Sequence, residues 1–227
     1  MSTFNLFDWL FPRRCLGCGK YGRYICENCL EKIDFQPKQR CAVCNGSTIN
    51  GYTHARCKTN EVINGIWAMA GYRGVMRQAV RKLKYGLVRD LDEELAELMT
   101  KRLPEGLRRF DGVIPVPLFA SRLRWRGFNQ AEILCKKLSG KFGLPYKNWL
   151  IKVSPTLPQA QIEMRSERMK NLAEIFRLRS EINVNDVENK KFLLIDDIAT
   201  TGTTLRQAAV PLKRAGVKEV WGVVWAR

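Results

Sequence analysis

Between Phe192 and Thr204 the chain reads Phe-Leu-Leu-Ile-Asp-Asp-Ile-Ala-Thr-Thr-Gly-Thr-Thr, and few folds accommodate such a run. Phe192 to Ile195 form the short apolar block of a strand buried on both faces. Asp196 and Asp197 follow where that strand is expected to end. A small, hydroxyl-rich turn then leads into a helical pattern from Leu205. In a parallel α/β sheet, ligands bind beyond the carboxyl ends of the strands, and the free N–H groups of a helix start hold phosphate. Gly202 lets backbone come close to an anion, and Thr200, Thr201, Thr203 and Thr204 add hydroxyl donors. Two carboxylates repel phosphate but accept hydrogen bonds from vicinal sugar hydroxyls. The segment predicts one site for ribose plus phosphate. The competing reading is a plain strand–turn–helix whose Asp and Thr residues only cap the helix.

These thirteen residues resemble the signature of type I phosphoribosyltransferases, which bind 5-phosphoribosyl-1-pyrophosphate. The resemblance implies that Asp196 and Asp197 contact the ribose 2′- and 3′-hydroxyls. It also implies that Ala199, Thr200, Thr201, Gly202, Thr203 and Thr204 wrap the 5′-phosphate, with magnesium accompanying the ligand. No Gly-x-x-x-x-Gly-Lys-Ser/Thr occurs, which removes the P-loop.

Residues 15–57 hold a second strong pattern. Cys15-x2-Cys18 and Cys26-x2-Cys29 are followed, eleven residues later, by Cys41-x2-Cys44 and His54-x2-Cys57. This is a duplication, and seven of the eight cysteines with the only histidine supply eight ligands, enough for two tetrahedral zinc ions. Cys15, Cys18, Cys26 and Cys29 form one expected site, and Cys41, Cys44, His54 and Cys57 the other; alternating, cross-braced pairing fits the spacing as well. Gly19 and Asn45 sit where a metal knuckle needs positive φ. Met1 to Phe11 lacks a basic start and carries Asp8 in its apolar run, unlike a secretory leader, so metal is expected rather than disulfides. The module is short of aliphatic residues, and structural zinc would supply on the order of 10 kcal/mol of its folding. The eighth cysteine, Cys135, sits in an apolar helical pattern and is expected to be a buried small hydrophobe.

The composition changes near residue 60, giving expected domains of 1–60 (a double zinc-ribbon module) and 61–227. Strands are expected at Ile66–Ala70, Val113–Pro117, Phe192–Ile195 and Val220–Val224. Helices are expected at Met76–Tyr85, Leu91–Leu103, Asn129–Phe142 and about Gly202–Ala215, with a polar arm or helix at Arg165–Leu172. Alternating strands and helices predict an α/β fold with a mostly parallel sheet flanked by helices, of the type I phosphoribosyltransferase kind. No apolar run approaches the roughly 18 residues of a membrane span. Phe4, Leu6, Phe7, Trp9, Leu10 and Phe11 are expected to pack on the zinc module, with peripheral membrane contact as the other reading.

Further motifs narrow the resemblance: Val113-Ile-Pro-Val-Pro117, the run Arg122-x-Arg124-x-Arg126-Gly-Phe-Asn-Gln-Ala131, Gln159-Ala160, Arg165-Ser166-x-Arg168 and Asn171-Leu172. Together with the cysteine module they are similar to the ComF family of bacterial competence proteins, which usually has cysteine where this chain has His54. The resemblance implies a cytoplasmic protein, with attachment at the inner membrane left open, acting with other DNA-uptake proteins. It places Pro115, Val116 and Pro117 at the pyrophosphate. Arg122, Arg124 and Arg126 would meet pyrophosphate or nucleic-acid phosphate through paired guanidinium donors, or form a solvated face. Arg165 and Arg168 fall in a family lid over the ligand, Lys84 matches a basic position of unassigned role, and Asn129 and Gln130 are candidates for the site.

The formal charge of +17 is concentrated. Residues 118–170 contain eleven Lys/Arg against three Asp/Glu, interleaved with Trp125, Phe128, Phe142, Tyr146 and Trp149. Basic surface binds phosphate chains and aromatics stack on unpaired bases, so single-stranded DNA is the expected partner beside phosphoribosyl pyrophosphate or a related nucleotide. Two functions stay open: a DNA-uptake factor, or a working phosphoribosyltransferase with no recognisable base-specificity loop and no assigned catalytic residue.

Overall fold

The computed structural model describes residues 12–35, 37–85, 89–153 and 175–227. The apolar run ending at Phe11, and the polar segment with Gln159, Ala160, Arg165, Arg168, Asn171 and Leu172, lie outside the described residues.

After a short helix α1 (Glu27–Leu30) in the cysteine module, the elements run β1 (Gly65–Ala70), α2 (Gly74–Tyr85), α3 (Arg89–Arg102), β2 (Gly112–Pro115), α4 (Ala120–Arg126) and α5 (Gln130–Phe142). Then come β3 (Leu150–Lys152), β4 (Phe176–Leu178), β5 (Lys191–Ile198), α6 (Thr203–Arg214) and β6 (Glu219–Ala226). The main sheet has the order β1-β6-β5-β2, and every pair in it is parallel. The central strands read as near-continuous apolar runs because both faces are covered. On one face Met69, Leu193, Ile195, Val223 and Trp225 meet Met76, Val80 and Leu83 of α2, Leu95 and Met99 of α3, and Leu134 and Leu138 of α5. On the other, Ile66, Ile114, Leu194 and Val224 meet Leu205, Ala208, Ala209 and Leu212 of α6. Gly222 of β6 is a close-approach glycine: a Cβ there would come within 2.8 Å of Leu205 Cδ1 and 3.1 Å of Ile66 Cγ1.

The first ribbon belongs to this core, since Cys15, Ile25, Cys29 and Ile33 share the apolar cluster of the α2–α3 face. Helix α4 and strands β3 and β4 carry no signal in the sequence. Helix α4 buries none of its residues, so it carries no amphipathic stripe to read. Strands β3 and β4 form an antiparallel pair of three residues each, too short for a periodicity to register.

Candidate functional site

The strand block extends beyond Ile195, so Asp196 and Asp197 are the sixth and seventh residues of the eight-residue β5. Strand alternation sends their side chains to opposite faces of the sheet. The Asp197 carboxylate meets the Lys84 ammonium at the end of α2, Nζ to Oδ2 3.3 Å. This gives Lys84 a partner that sequence could not. Asp196 Oδ1 accepts from the Asp197 backbone N–H at 2.8 Å. Burial, and then the neighbouring Asp197 charge, push the Asp196 carboxyl up to about 7; the charges of Lys84 and Lys152 oppose that rise. Lys152 of β3 feels both Asp196 and Arg122, and its own burial holds it below the usual lysine range. Lys152 is a site residue that local sequence does not mark. Its only signal was a lysine inside the apolar stretch Leu150–Val153.

Beyond β5 the chain turns sharply. Ala199 N–H donates to Ala226 O at 3.1 Å, and Gly202 takes φ 76° as the N-cap of α6. The Thr201 and Thr203 hydroxyls lie 2.9 Å apart. Residues Ile198–Leu205 enclose a concavity of about 40 Å³. The first-turn N–H groups of α6 have no carbonyl within the helix to pair with, so they and the Thr hydroxyls converge as donors while the two carboxylates offer acceptors. Such a set suits a sugar–phosphate.

The β2 end lies alongside. Pro115 pairs in register with Ile195, and Val116 N–H donates to Ile195 O at 2.9 Å, which sets the Pro115–Pro117 turn next to Asp196. Asn129 is the N-cap of α5, accepting from Ala131 N–H at 3.1 Å and donating through Nδ2 to Val116 O at 3.0 Å. Gln130 is buried; it donates to Leu83 O at 3.0 Å and accepts from Arg126 at 2.8 Å. Both amides therefore tie α2, β2 and α5 together instead of pointing at a ligand, and Arg126 is engaged in that tie. Arg122 and Arg124 on α4 are exposed.

The basic tract is only partly free. Lys136 pairs with Glu132 at 2.9 Å and Lys137 with Glu93 at 2.9 Å. Of its aromatics, Phe142, Tyr146 and Trp149 pack on the two apolar clusters, and Trp149 meets Phe192 edge-on with centroids 4.9 Å apart. Trp125 on α4, beside the arginines, is 70% exposed.

In the amino-terminal module the ligand atoms of Cys15, Cys18, Cys26 and Cys29 cluster within 4.8 Å of one another, as do those of Cys41, Cys44, His54 and Cys57. Pairing is sequential, not cross-braced. No disulfide joins any of the eight cysteines. His54 points Nδ1 at the cluster, 3.3 Å from Cys44 Sγ, and its Nε2 lies 2.9 Å from Ser47 O, the outer-shell bond typical of a metal-bound histidine. Gly19 at φ 78° and Asn45 at φ 58° form the knuckle turns. Thiolate and imidazole donors in closed sets of four fit structural zinc, with no position left for a reacting water. A Gly-x-Gly-x-x-Gly run does occur, at Gly17–Gly22. It is the first knuckle, not the strand-to-helix turn that a dinucleotide site needs. Cys135 is fully buried, and its thiol is pushed far up by that burial.

The second ribbon reaches the phosphate-suited turn. A Cβ on Gly202 would lie 2.7 Å from Ile66 Cδ1 and 3.7 Å from Ala42 O, and Ala42 stands between the ligands Cys41 and Cys44. Arg227, next to the Ala226 that holds Ala199, donates to Arg40 O at 2.7 Å, Cys41 O at 3.4 Å and Asn45 Oδ1 at 3.1 Å. One bonded path thus joins the second metal knuckle to the turn.

Fold and site together define a phosphoribosyltransferase-type domain carrying a double zinc ribbon. Residues 6–58 match the double zinc ribbon domain, and residues 126–227 match the phosphoribosyl transferase domain. The chain is 29% identical over 237 aligned positions to competence protein F of Haemophilus influenzae, covering all of both chains. It is 28% identical over 197 positions to competence protein ComFC of Streptococcus pneumoniae, covering 86% of this chain and 82% of the other. With DNA utilization protein YhgH of Salmonella typhimurium it shares 33% identity over 130 positions, 56% of this chain and 55% of that one. The chain is thus similar over its whole length to a competence protein and carries the two domains in the order double zinc ribbon, then phosphoribosyl transferase.

Proposed function

We propose that this protein handles incoming single-stranded DNA during natural transformation, and that its β5–α6 pocket binds phosphoribosyl pyrophosphate, or a related nucleotide, with magnesium. The observation carrying this reading is that Asp196, Asp197 and the donor-lined Ala199–Thr204 turn all sit at the carboxyl end of β5, in a chain that also presents an exposed basic helix bearing Arg122, Arg124 and Trp125. Its similarity to two competence proteins and a DNA utilization protein supports the DNA-uptake part of this reading. Among the described residues no helix is long and apolar enough to cross a membrane; we place the protein on the cytoplasmic side, working with uptake proteins at the inner membrane. Each cluster holds one structural zinc.

The test is fluorescence anisotropy with a thymidine oligonucleotide across a salt series. Each phosphate contact to a single strand contributes about 0.7 to the log–log slope, so four to six contacts give roughly −3 to −4. Arg122→Ala, Arg124→Ala and Arg126→Ala together flatten that slope with zinc content unchanged. An affinity indifferent to salt would contradict the electrostatic reading.

The intact ribose–phosphate turn also favours a second reading, a working phosphoribosyltransferase. Bound magnesium would supply positive charge to the departing pyrophosphate. Asp196 and Asp197 would hold the sugar, Lys152 and Arg122 would face developing negative charge, and the mechanism would be positioning plus electrostatics. Pyrophosphate release on incubation with the sugar, magnesium and each free base would establish it; no release with any base leaves the pocket a binding site.

A further inference from the structure

Helix α2 has a buried stripe, Met76, Ala79, Val80 and Leu83, and an opposite exposed one, Arg77, Gln78, Arg81 and Lys82. The exposed stripe, with Gly74 and Leu16, lines an open groove of about 720 Å³. Its far wall is the first metal knuckle, because Leu16 stands between Cys15 and Cys18. The wall is fixed against the helix: a Cβ on Gly17 would come 2.6 Å from both Val75 Cγ2 and Cys29 Sγ. Among the described residues no acidic side chain lines the groove. Arg73, just before α2, is paired with Asp34 at 2.8 Å, and Lys84 at the other end is paired with Asp197. Among the described residues Arg77, Arg81 and Lys82 have no ion-pair partner. Arg77 and Arg81 are one helical turn apart, so their charges repel without compensation. On the same ribbon the Arg14 guanidinium sits 4.5 Å from the Tyr21 ring centroid, and Tyr21 is 57% exposed.

The geometry points to a second contact for single-stranded nucleic acid: we propose that its phosphate backbone lies in the groove between the first knuckle and α2. This rests on the DNA-binding reading above but uses residues outside the Arg122–Lys170 tract. The charge selects a polyanion. The concave shape, walled by a ribbon on one side and a helix on the other, suits a single chain better than a planar lipid surface. Bases turned outward would find Tyr21 as a stacking platform. Because α2 runs from the knuckle to Lys84 beside Asp197, a strand in this groove is led toward the ribose–phosphate pocket.

The test uses the full-length, zinc-loaded chain carrying Arg77→Ala, Arg81→Ala and Lys82→Ala. Alanine on an exposed helix face raises helix propensity, so folding is retained; Arg77→Gln with Arg81→Gln serves as a second variant. Salt-dependent anisotropy with the thymidine oligonucleotide should show affinity lowered about tenfold or more and a slope smaller by roughly 2, from three lost contacts at about 0.7 each. Zinc content and the heat of binding phosphoribosyl pyrophosphate with magnesium should not change. If the wild type binds the oligonucleotide and both variants bind it equally well, the groove is not the path. If the wild type binds no oligonucleotide, the DNA reading itself fails and the groove with it. Should the variants lose binding to anionic phosphatidylglycerol vesicles yet keep DNA affinity, the occupant is a membrane and the proposal is overturned.

Discussion

Replacing Cys44 with Ser is expected to remove one of two zinc ions per chain and to weaken sugar–phosphate binding at the β5–α6 turn by tenfold or more. The effect should be large because the ribbon has little else to hold it. Structural zinc provides on the order of 10 kcal/mol in such modules, and Ala42 is the only residue of the Cys41–Asn45 knuckle besides Cys41 that is fully buried. Without the metal the knuckle loses its shape. Arg227 then loses its acceptors at Arg40, Cys41 and Asn45, and Gly202 loses its backing. Cys18→Ser in the first ribbon should also cost one zinc, but with a smaller effect on the turn, because that ribbon packs on α2 and α3. Elemental analysis gives the metal count, and hydrogen exchange at residues 199–205 reads the turn without relying on activity. Equal protection of the turn in both variants would show that the second ribbon does not brace it.

Much of this organisation was legible in the chain because the relevant signals are local. Phe192–Thr204 contains strand, carboxylates, turn and helix start within thirteen residues, and short spacings define both metal sites. The ligand partition was not legible. Sequential and cross-braced pairings have the same spacing, and only the arrangement in space separates them. Contacts between distant elements were equally hidden. Nothing near Lys84 announces Asp197, more than a hundred residues away, and nothing near Gln130 announces the Leu83 carbonyl. Sequence leaves both amides at Asn129–Gln130 open to a ligand, whereas in the fold they donate to the carbonyls of Val116 and Leu83. The tract aromatics misled for a related reason: Phe142, Tyr146 and Trp149 alternate with charge in sequence, yet their side chains turn inward. Helix α4 could not be anticipated from burial because it has none, and that same exposure turns Arg122 and Arg124 toward solvent.

The second large effect concerns the carboxylates. Asp196→Asn with Asp197→Asn keeps shape while removing the charged acceptors for the sugar hydroxyls. Hydrogen bonds to charged groups are worth about 1.5–3 kcal/mol each, so losing two should weaken binding by about 100-fold or more. The fold should survive. Asp196 is raised from the ordinary 3.8 to about 7, so the folded state holds its proton more tightly than the unfolded chain does. Its ionisation therefore costs stability as pH rises from about 4 through 7, and the neutral amide relieves that cost. The same shift gives binding a pH dependence. In the proposed pocket a sugar hydroxyl would donate to the ionised carboxylate, so affinity should rise about tenfold between pH 6 and pH 8 and this contribution should vanish in Asp196→Asn. DNA affinity should be unchanged or higher in the double variant, since removing two negative charges does not weaken attraction for phosphate.

Calorimetric titration of phosphoribosyl pyrophosphate with magnesium into the zinc-loaded protein at pH 8 tests the pocket most directly. The expected result is saturable heat at one site per chain, lost in the Asp196→Asn, Asp197→Asn variant while its zinc content and cooperative unfolding are retained. No heat at millimolar ligand, or identical heat in the double variant, would contradict a ribose–phosphate site at the end of β5.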